Sequence, residues 1–368
     1  MKRICVLCLV LLLTVSFVFA TGNSEASNSE TAGLKIAVVA GPSGVDDGGF
    51  DENIYDGALA FAANHPDATV TALTGDVNEA ITLVSDVVAD YDVEVCCGYQ
   101  FASITQIAKD NPDTDFILVD TFPTDNEILP NIYSMMFAEQ ESGFFAGMIA
   151  ALETETGKVA VLNGIAFPSN VNYQYGFNCG VIYANAKYDC NVEYVELASQ
   201  AGTDVTGTNV GGNYVGSFND EATAKVVTNQ LIDKGVDIVF VAAGGSGNGA
   251  LSAVKESKKK CKVIGCDVDI WDDGANGDSN IVLSSVLKNM AINVERVLND
   301  INDGTFEGAN ELLTATSDST GFVKAEGRQQ LSLDTIEKLD ASYELVKNKT
   351  IVPASNFGGF TPDEFKVE

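Results

Sequence analysis

Short runs that are apolar on both faces, each followed by a segment of helical period, constrain this chain more than any other feature. The runs at 34–41 (LKIAVVAG), 69–74, 93–98 and 115–120 leave no polar face for water. Between them, Ile54, Ala58, Phe61 and Ala62 fall on one helical face that ends near Pro66, and 78–90 and 101–110 read as helices. Strands buried on both faces and separated by helices imply a parallel sheet covered on both sides. The rhythm restarts at 131–137, with a helix at 141–152 whose small residues permit close packing. It continues through strands at 158–164, 191–197, 238–244, 262–267 and 281–288, with helices at 170–186, 220–234, 248–259 and 290–302. A faint echo links Gly57–Asn64 to Gly180–Ala186, each in the first helix after a lead strand. The reading is α/β, with two Rossmann-like lobes.

The ends differ from this body. Residues 1–20 carry Lys2 and Arg3, then an apolar run closing on Val18-Phe19-Ala20, which reads as a cleaved export signal, with a retained spanning anchor as the alternative. Cys5 and Cys8 sit early in that run, so no lipid-anchored cysteine is expected. Residues 21–33 (TGNSEASNSETAG) read as a flexible tether. The expected division is 34–137 plus about 268–304 for the N-terminal lobe and 138–267 plus about 305–368 for the C-terminal lobe. The chain would cross between them near 137–140, near 267–270 and past 304.

Charge narrows the partners. Twenty-one Lys and Arg against 52 Asp and Glu give −31, or −33 once Lys2 and Arg3 are lost. Such a surface disfavours nucleic acid, anionic lipid and free nucleotides. With one histidine, His65, poly-His metal centres are excluded, and no nucleophile–base arrangement stands out, so no enzyme activity is expected. The mature chain has no Cys-x-x-Cys. Cys179/Cys190 and Cys261/Cys266 are possible disulfides, but Cys96, Cys97 and Cys266 lie in apolar runs and read better as small core residues. The Asp clusters at 46–51 and 267–272 lack calcium-loop spacing, so neither a metal nor a cofactor is expected.

In open α/β sheets, ligands bind beyond the carboxyl ends of strands. The residues so placed are 41–50, 98–101 and Asp120 in the first half, and 164–169, 244–248 and Asp267 in the second. Asp47 or Asp51 suits a helix cap, while Phe50 in the same loop is a staple or a face offered to a ligand. Glycines around Gly245 either make a tight turn or let a ligand approach backbone N–H groups. Asp267 can accept two hydrogen bonds from vicinal hydroxyls, and Lys288, at the end of its strand, can donate to the same hydroxyls or pair with Asp267.

Taken together, these segments resemble the basic membrane protein family, the substrate-binding proteins of ABC importers that include a spirochaetal purine nucleoside receptor. The matching residues are Gly44-Val45-Asp46-Asp47-Gly48-Gly49-Phe50-Asp51, Tyr55-Asp56-Gly57, Gly98-Tyr99, Phe116–Asp120, Phe137–Gly147, Tyr214–Asp220, Gly235-Val236-Asp237, Ala243–Gly247, Ile264–Asp267 and Lys288, in order from about 34 to 290. The resemblance implies a type I periplasmic-binding-protein-like fold with a multi-strand hinge. It also implies a base sandwiched between Phe50 and Phe218, a ribose held by Asp267 and Lys288, and Asp120 and Gly245 bordering the pocket. The chain departs from the family at two places. Gly41 stands where nucleoside-binding members often carry an Asp that reads the base edge, and Asp51 stands where the motif has Asn.

The expectation is an exported, periplasmic or cell-surface binding protein, acting as a monomer. It would close on a neutral nucleoside, a purine by preference, and deliver it to an ABC permease. Riboflavin or another planar, polyol-bearing solute is the alternative ligand. A sensory receptor domain is the alternative role, and a nucleoside-cleaving enzyme has least support.

Overall fold

The computed structural model describes residues 33–367. The expected leader, and the tether up to Ala32, lie outside the described residues. In chain order the elements are β1 (Lys35–Ala40), α1 (Phe50–Asn64), β2 (Thr69–Thr74), α2 (Ala80–Val87), β3 (Val93–Cys97), α3 (Thr105–Asp110), β4 (Asp115–Val119) and β5 (Ile132–Phe137). Then come α4 (Glu139–Glu153), β6 (Lys158–Asn163), α5 (Pro168–Tyr188), β7 (Glu193–Tyr194), a ribbon of β8 (Gly202–Thr203) and β9 (Asn209–Gly211), α6 (Glu221–Asp233), β10 (Ile238–Ala242), α7 (Gly247–Glu256) and β11 (Lys262–Gly265). A second ribbon, β12 (Ala275–Asn276) and β13 (Ser279–Asn280), precedes β14 (Val282–Lys288), α8 (Met290–Asn302), β15 (Ala309–Leu313), β16 (Thr320–Phe322) and α9 (Leu333–Lys347).

Two six-stranded sheets form the body, in the orders β2-β1-β3-β4-β5-β15 and β7-β6-β10-β11-β14-β16. The first is parallel throughout, and the second is parallel except where β16 runs antiparallel to β14. Apolar residues on both strand faces explain the layering. Val93, Val95 and Cys97 of β3 face a core with Ile54, Phe61 and Val294, while Cys96 faces one with Val84, Phe101 and Phe116. The second sheet repeats this, with Phe144, Phe177 and Leu339 on one side and Val227, Leu231 and Val254 on the other.

The chain passes between the sheets three times. It leaves the first after Phe137 for α4, returns after Lys288 into α8, and leaves again after β15 for β16. Two of the expected boundaries are thereby corrected. Residues 282–288 belong to the second sheet, because β14 pairs in parallel with β11 and buries both faces there, so the return crossing is at 288–290 rather than 267–270. Residues 309–313 belong to the first sheet, paired with β5 along its length. The segment 266–281 is an excursion that comes back to its own sheet, and nothing in its composition announces this.

The helix that follows each of the first two crossings packs on the first helix of the lobe it enters: α4 on α5, and α8 on α1. Glycine permits both approaches. A Cβ at Gly57 would lie 2.5 Å from the Ala291 carbonyl oxygen, and one at Gly180 would lie 2.1 Å from that of Phe144. The two glycines of the sequence echo thus occupy corresponding helix crossings. All six described cysteines are free, so neither candidate disulfide forms, and Cys96, Cys97, Cys179 and Cys261 are buried. Among the described residues no helix is long and apolar enough to cross a membrane.

One core residue breaks the pattern. Glu94 in β3 is fully buried, and neither carboxylate oxygen has a hydrogen-bond partner. Burial pushes its pKa up from 4.5 to about 8. The folded state therefore holds this proton while the unfolded state releases it, and stability falls as pH rises from about 4.5 through about 8. Glu94→Gln is expected to be more stable than the wild type at about pH 9, by about 1 kcal/mol or more. Urea titrations at that pH and near pH 4.5, where the difference should vanish, check this.

Candidate functional site

The carboxyl ends of both sheets open onto one cavity of about 330 Å³, within the usual range for small-molecule sites. Its walls come from the loops after β1, β2, β3 and β4 on one side and from those after β6, β9, β10 and β11, with the end of β14, on the other. Phe50, Phe218, Asp47, Asp51, Asp120, Asp267 and Lys288 all line it. Gly245 does not. Residues 244–246 form a tight helical turn that runs into α7; Gly244 of the turn and Gly247 at the start of α7 face the cavity, while Gly245 packs against Ser43 of the opposite lobe.

Asp120 and Asp267 occupy corresponding places, one residue past β4 and two past β11. Both have left-handed backbone (φ 71° and 68°), which Asp tolerates better than most residues. The Lys288 ammonium lies between them, 3.0 Å from an Asp120 oxygen and 3.5 Å from an Asp267 oxygen, with a side chain only 2% exposed. Burial opposes its charge, but Asp120, Asp267 and Glu139 outweigh this and hold its pKa well above the ordinary lysine value. The same ammonium sits 4.7 Å from the centre of the Phe50 ring. The Tyr173 hydroxyl donates to Asp267 at 2.5 Å.

The two phenyl rings come from opposite lobes. Phe50 begins α1, whose start is stabilised by the Asp47 carboxylate accepting from the Gly49, Asp51 and Glu52 N–H groups. The N-cap itself is Gly49, and Asp47 does the capping work from two residues before it, while Asp51 turns inward and accepts from the Gly41 N–H at 3.2 Å. Phe218 lies against Gly164, where any Cβ would come within 2.2 Å of the ring. Ser43 donates across the cleft to the Phe218 carbonyl at 2.9 Å, and Asn219 donates to that of Pro42 at 3.4 Å.

Three residues had no part in the expected site, and a fourth, Phe167, fell in the expected 164–169 loop without being singled out. Phe167 packs between Phe218 (5.9 Å) and Tyr99 (5.1 Å), joining the lobes along one wall. Asn170 lines the cavity and donates to the Ala242 carbonyl at 2.8 Å. Tyr173 sits beneath Asp267, and Glu139 is buried behind Lys288, accepting from Asn172 at 3.0 Å. Burial first, then the nearby Asp120 charge, hold the Glu139 carboxyl well above its ordinary value. Pro-Ser recurs between the lead strand and the first helix of each lobe, at Pro42-Ser43 and Pro168-Ser169, and that repeat was the available signal for Phe167 and Asn170. Glu139 and Tyr173 sit in helices with no comparable mark.

Chemically, the cavity offers aromatic faces, one neutralised ammonium and several carboxyl groups. That composition suits a planar, uncharged molecule with hydroxyls, and disfavours anions. Lys288→Met leaves Asp120 and Asp267 without their counter-charge and is expected to lower unfolding free energy by about 3 kcal/mol or more, read from urea denaturation.

Comparison with known proteins agrees with this geometry. The family model described as ABC transporter substrate-binding protein PnrA-like matches residues 34–209 and 206–356. The "CD4+ T-cell-stimulating antigen" of Listeria monocytogenes is 27% identical over 83% of this chain and 84% of its own length. The "ABC transporter nucleoside-binding protein BmpA" of Lactococcus lactis is 26% identical over 83% and 87%. An ABC transporter solute-binding protein from Aeropyrum pernix superposes with a TM-score of 0.74 at 20% identity, covering 88% of this chain and 93% of that one, a likeness of fold. The architecture is the two-lobe type I solute-binding fold that the sequence led us to expect.

Proposed function

The chain belongs to the PnrA-like ABC transporter substrate-binding proteins, and from that premise we propose that it binds a neutral nucleoside, a purine by preference, and delivers it to an ABC permease outside the cytoplasm. The observation that carries this reading is the convergence of Phe50 and Phe218, one from each lobe, on a cavity that also holds the Asp120–Lys288–Asp267 group. Phenyl rings from opposite walls offer stacking faces to a flat base, worth about 1–3 kcal/mol per stacked contact. Asp267 and Lys288 meet the ribose hydroxyls, which both accept and donate. The Lactococcus relative carries nucleoside binding in its name. Asp46 and Asp273 add further acid to the walls, so a phosphorylated ligand meets like charge.

Calorimetry with inosine, guanosine and adenosine is expected to give saturable heat with at least one of them. Silence with all three rejects the nucleoside, and flavin absorbance in the purified protein would replace it with riboflavin. Phe50→Ala and Phe218→Ala should each weaken binding about tenfold or more. Unchanged affinity in both would show that the base lies elsewhere. The 5′-monophosphate of the preferred nucleoside is expected to bind at least about a hundredfold more weakly, since like-charge juxtaposition costs several kcal/mol.

A further inference from the structure

Glu139 is an acid that ligand contact leaves unused. It opens α4, where the chain has just made its first crossing, and it is 1% exposed. Its Oε2 accepts from Asn172 of α5 at 3.0 Å, while its Oε1 is buried with no hydrogen-bond partner. The charged and titratable groups that face it are Asp120 from the loop after β4, Lys288 at the end of β14 and Tyr173 from α5. Asp267 meets the same ammonium, and Cys266 adjoins Asp267 and Tyr173. Glu141, two residues on, accepts instead from the Ala315 N–H at 2.7 Å and the Thr320 hydroxyl at 2.6 Å, and Tyr343 and Lys349 face that acid. The strands β10 and β16, which also pack on α4, carry no titratable side chain.

Three carboxyl groups thus share one ammonium in a nearly dry space. With all three ionised the group carries an excess of negative charge that burial penalises. A proton on Glu139 removes the like charge beside Asp120 and turns Glu139 into a donor toward that carboxylate.

The two acids belong to opposite lobes. Asp120 follows a strand of the first sheet, whereas α4 packs along α5 and holds Glu139 against Asn172. Their encounter exists only while the lobes are together. Parting them removes the Asp120 charge and admits water, and both changes favour the ionised form of Glu139. Closing reverses both.

We infer that Glu139 couples closure of this cleft to the uptake of one proton, so that ligand and proton bind together. The inference rests on the nucleoside reading for its ligand and adds a pH-sensitive switch to it. By linkage, ligand binds more tightly at lower pH. Affinity falls as pH rises between the point where the open form releases the proton and the higher point where the closed form does. Burial, and then Asp120, raise the Glu139 pKa in the closed form, which agrees with that order.

Calorimetry of the wild type with inosine, guanosine and adenosine, in pairs of buffers that differ in ionisation enthalpy, counts the protons directly. Uptake on binding is expected between about pH 6 and about pH 8, with affinity falling at least about fivefold across that range. Glu139→Gln fixes the neutral form, so its uptake should drop below about a tenth of a proton and its affinity should vary little with pH. Asp51→Asn changes the cavity-lining acid that also has an unpartnered buried oxygen, and it should leave the uptake in place. If Glu139→Gln fails to fold, infrared difference spectra carry the test. Ligand should then raise a carboxylic-acid C=O band in the wild type and in Asp51→Asn, and its absence overturns the inference. Binding without proton uptake at every pH, or uptake that survives in Glu139→Gln or vanishes in Asp51→Asn, overturns the coupling while leaving the nucleoside reading intact. Silence with all three nucleosides overturns that reading, and this inference with it.

Discussion

The Lys288 ammonium is the contact on which the site depends. Two strand-end carboxylates, one from each lobe, reach it through left-handed backbone at Asp120 and Asp267. A buried ammonium is tolerated only with such counter-charges and hydrogen bonds. Lys288 ends the very strand from which the chain crosses back to the first lobe, so the ion group sits at the hinge as well as in the cavity. The cavity wall and the joining of the lobes are therefore built from the same atoms.

Much of this was legible in advance, and the residues show why. A buried strand followed by a helix is a local pattern, so the elements and the ligand-facing loops could be read without knowing which sheet each strand joins. Sheet membership is not local. Val282–Lys288 has the same apolar character whichever sheet receives it, and only its pairing with β11 decides. Gly245 was misplaced because a glycine-rich turn identifies a close approach but not what approaches, and here the neighbour is Ser43. Glu94 was illegible for a different reason. In a strand buried on both faces, alternation carries no information about which position meets water.

The acidity of the molecule acts at two ranges. Over the surface, it repels polyanions. Inside the cavity, the acids differ in what they are free to do. Asp47 holds a helix start, and Asp120 and Asp267 hold an ammonium. Counting carboxylates around a cavity thus says little about recognition until their internal partners are known.

The asymmetry of the ion group bears on opening. Asp267 and Lys288 belong to the second sheet, and Asp120 to the first. If the lobes part, Lys288 keeps Asp267, which Tyr173 continues to hold from α5 of the same lobe, while Asp120 turns to water. No buried charge is stranded in either state. The Ser43–Phe218 and Asn219–Pro42 hydrogen bonds likewise exchange protein carbonyls for solvent, at a net cost of about 1 kcal/mol each. A cleft whose closing contacts are few, polar and replaceable by water leaves the balance between open and closed forms to whatever fills it.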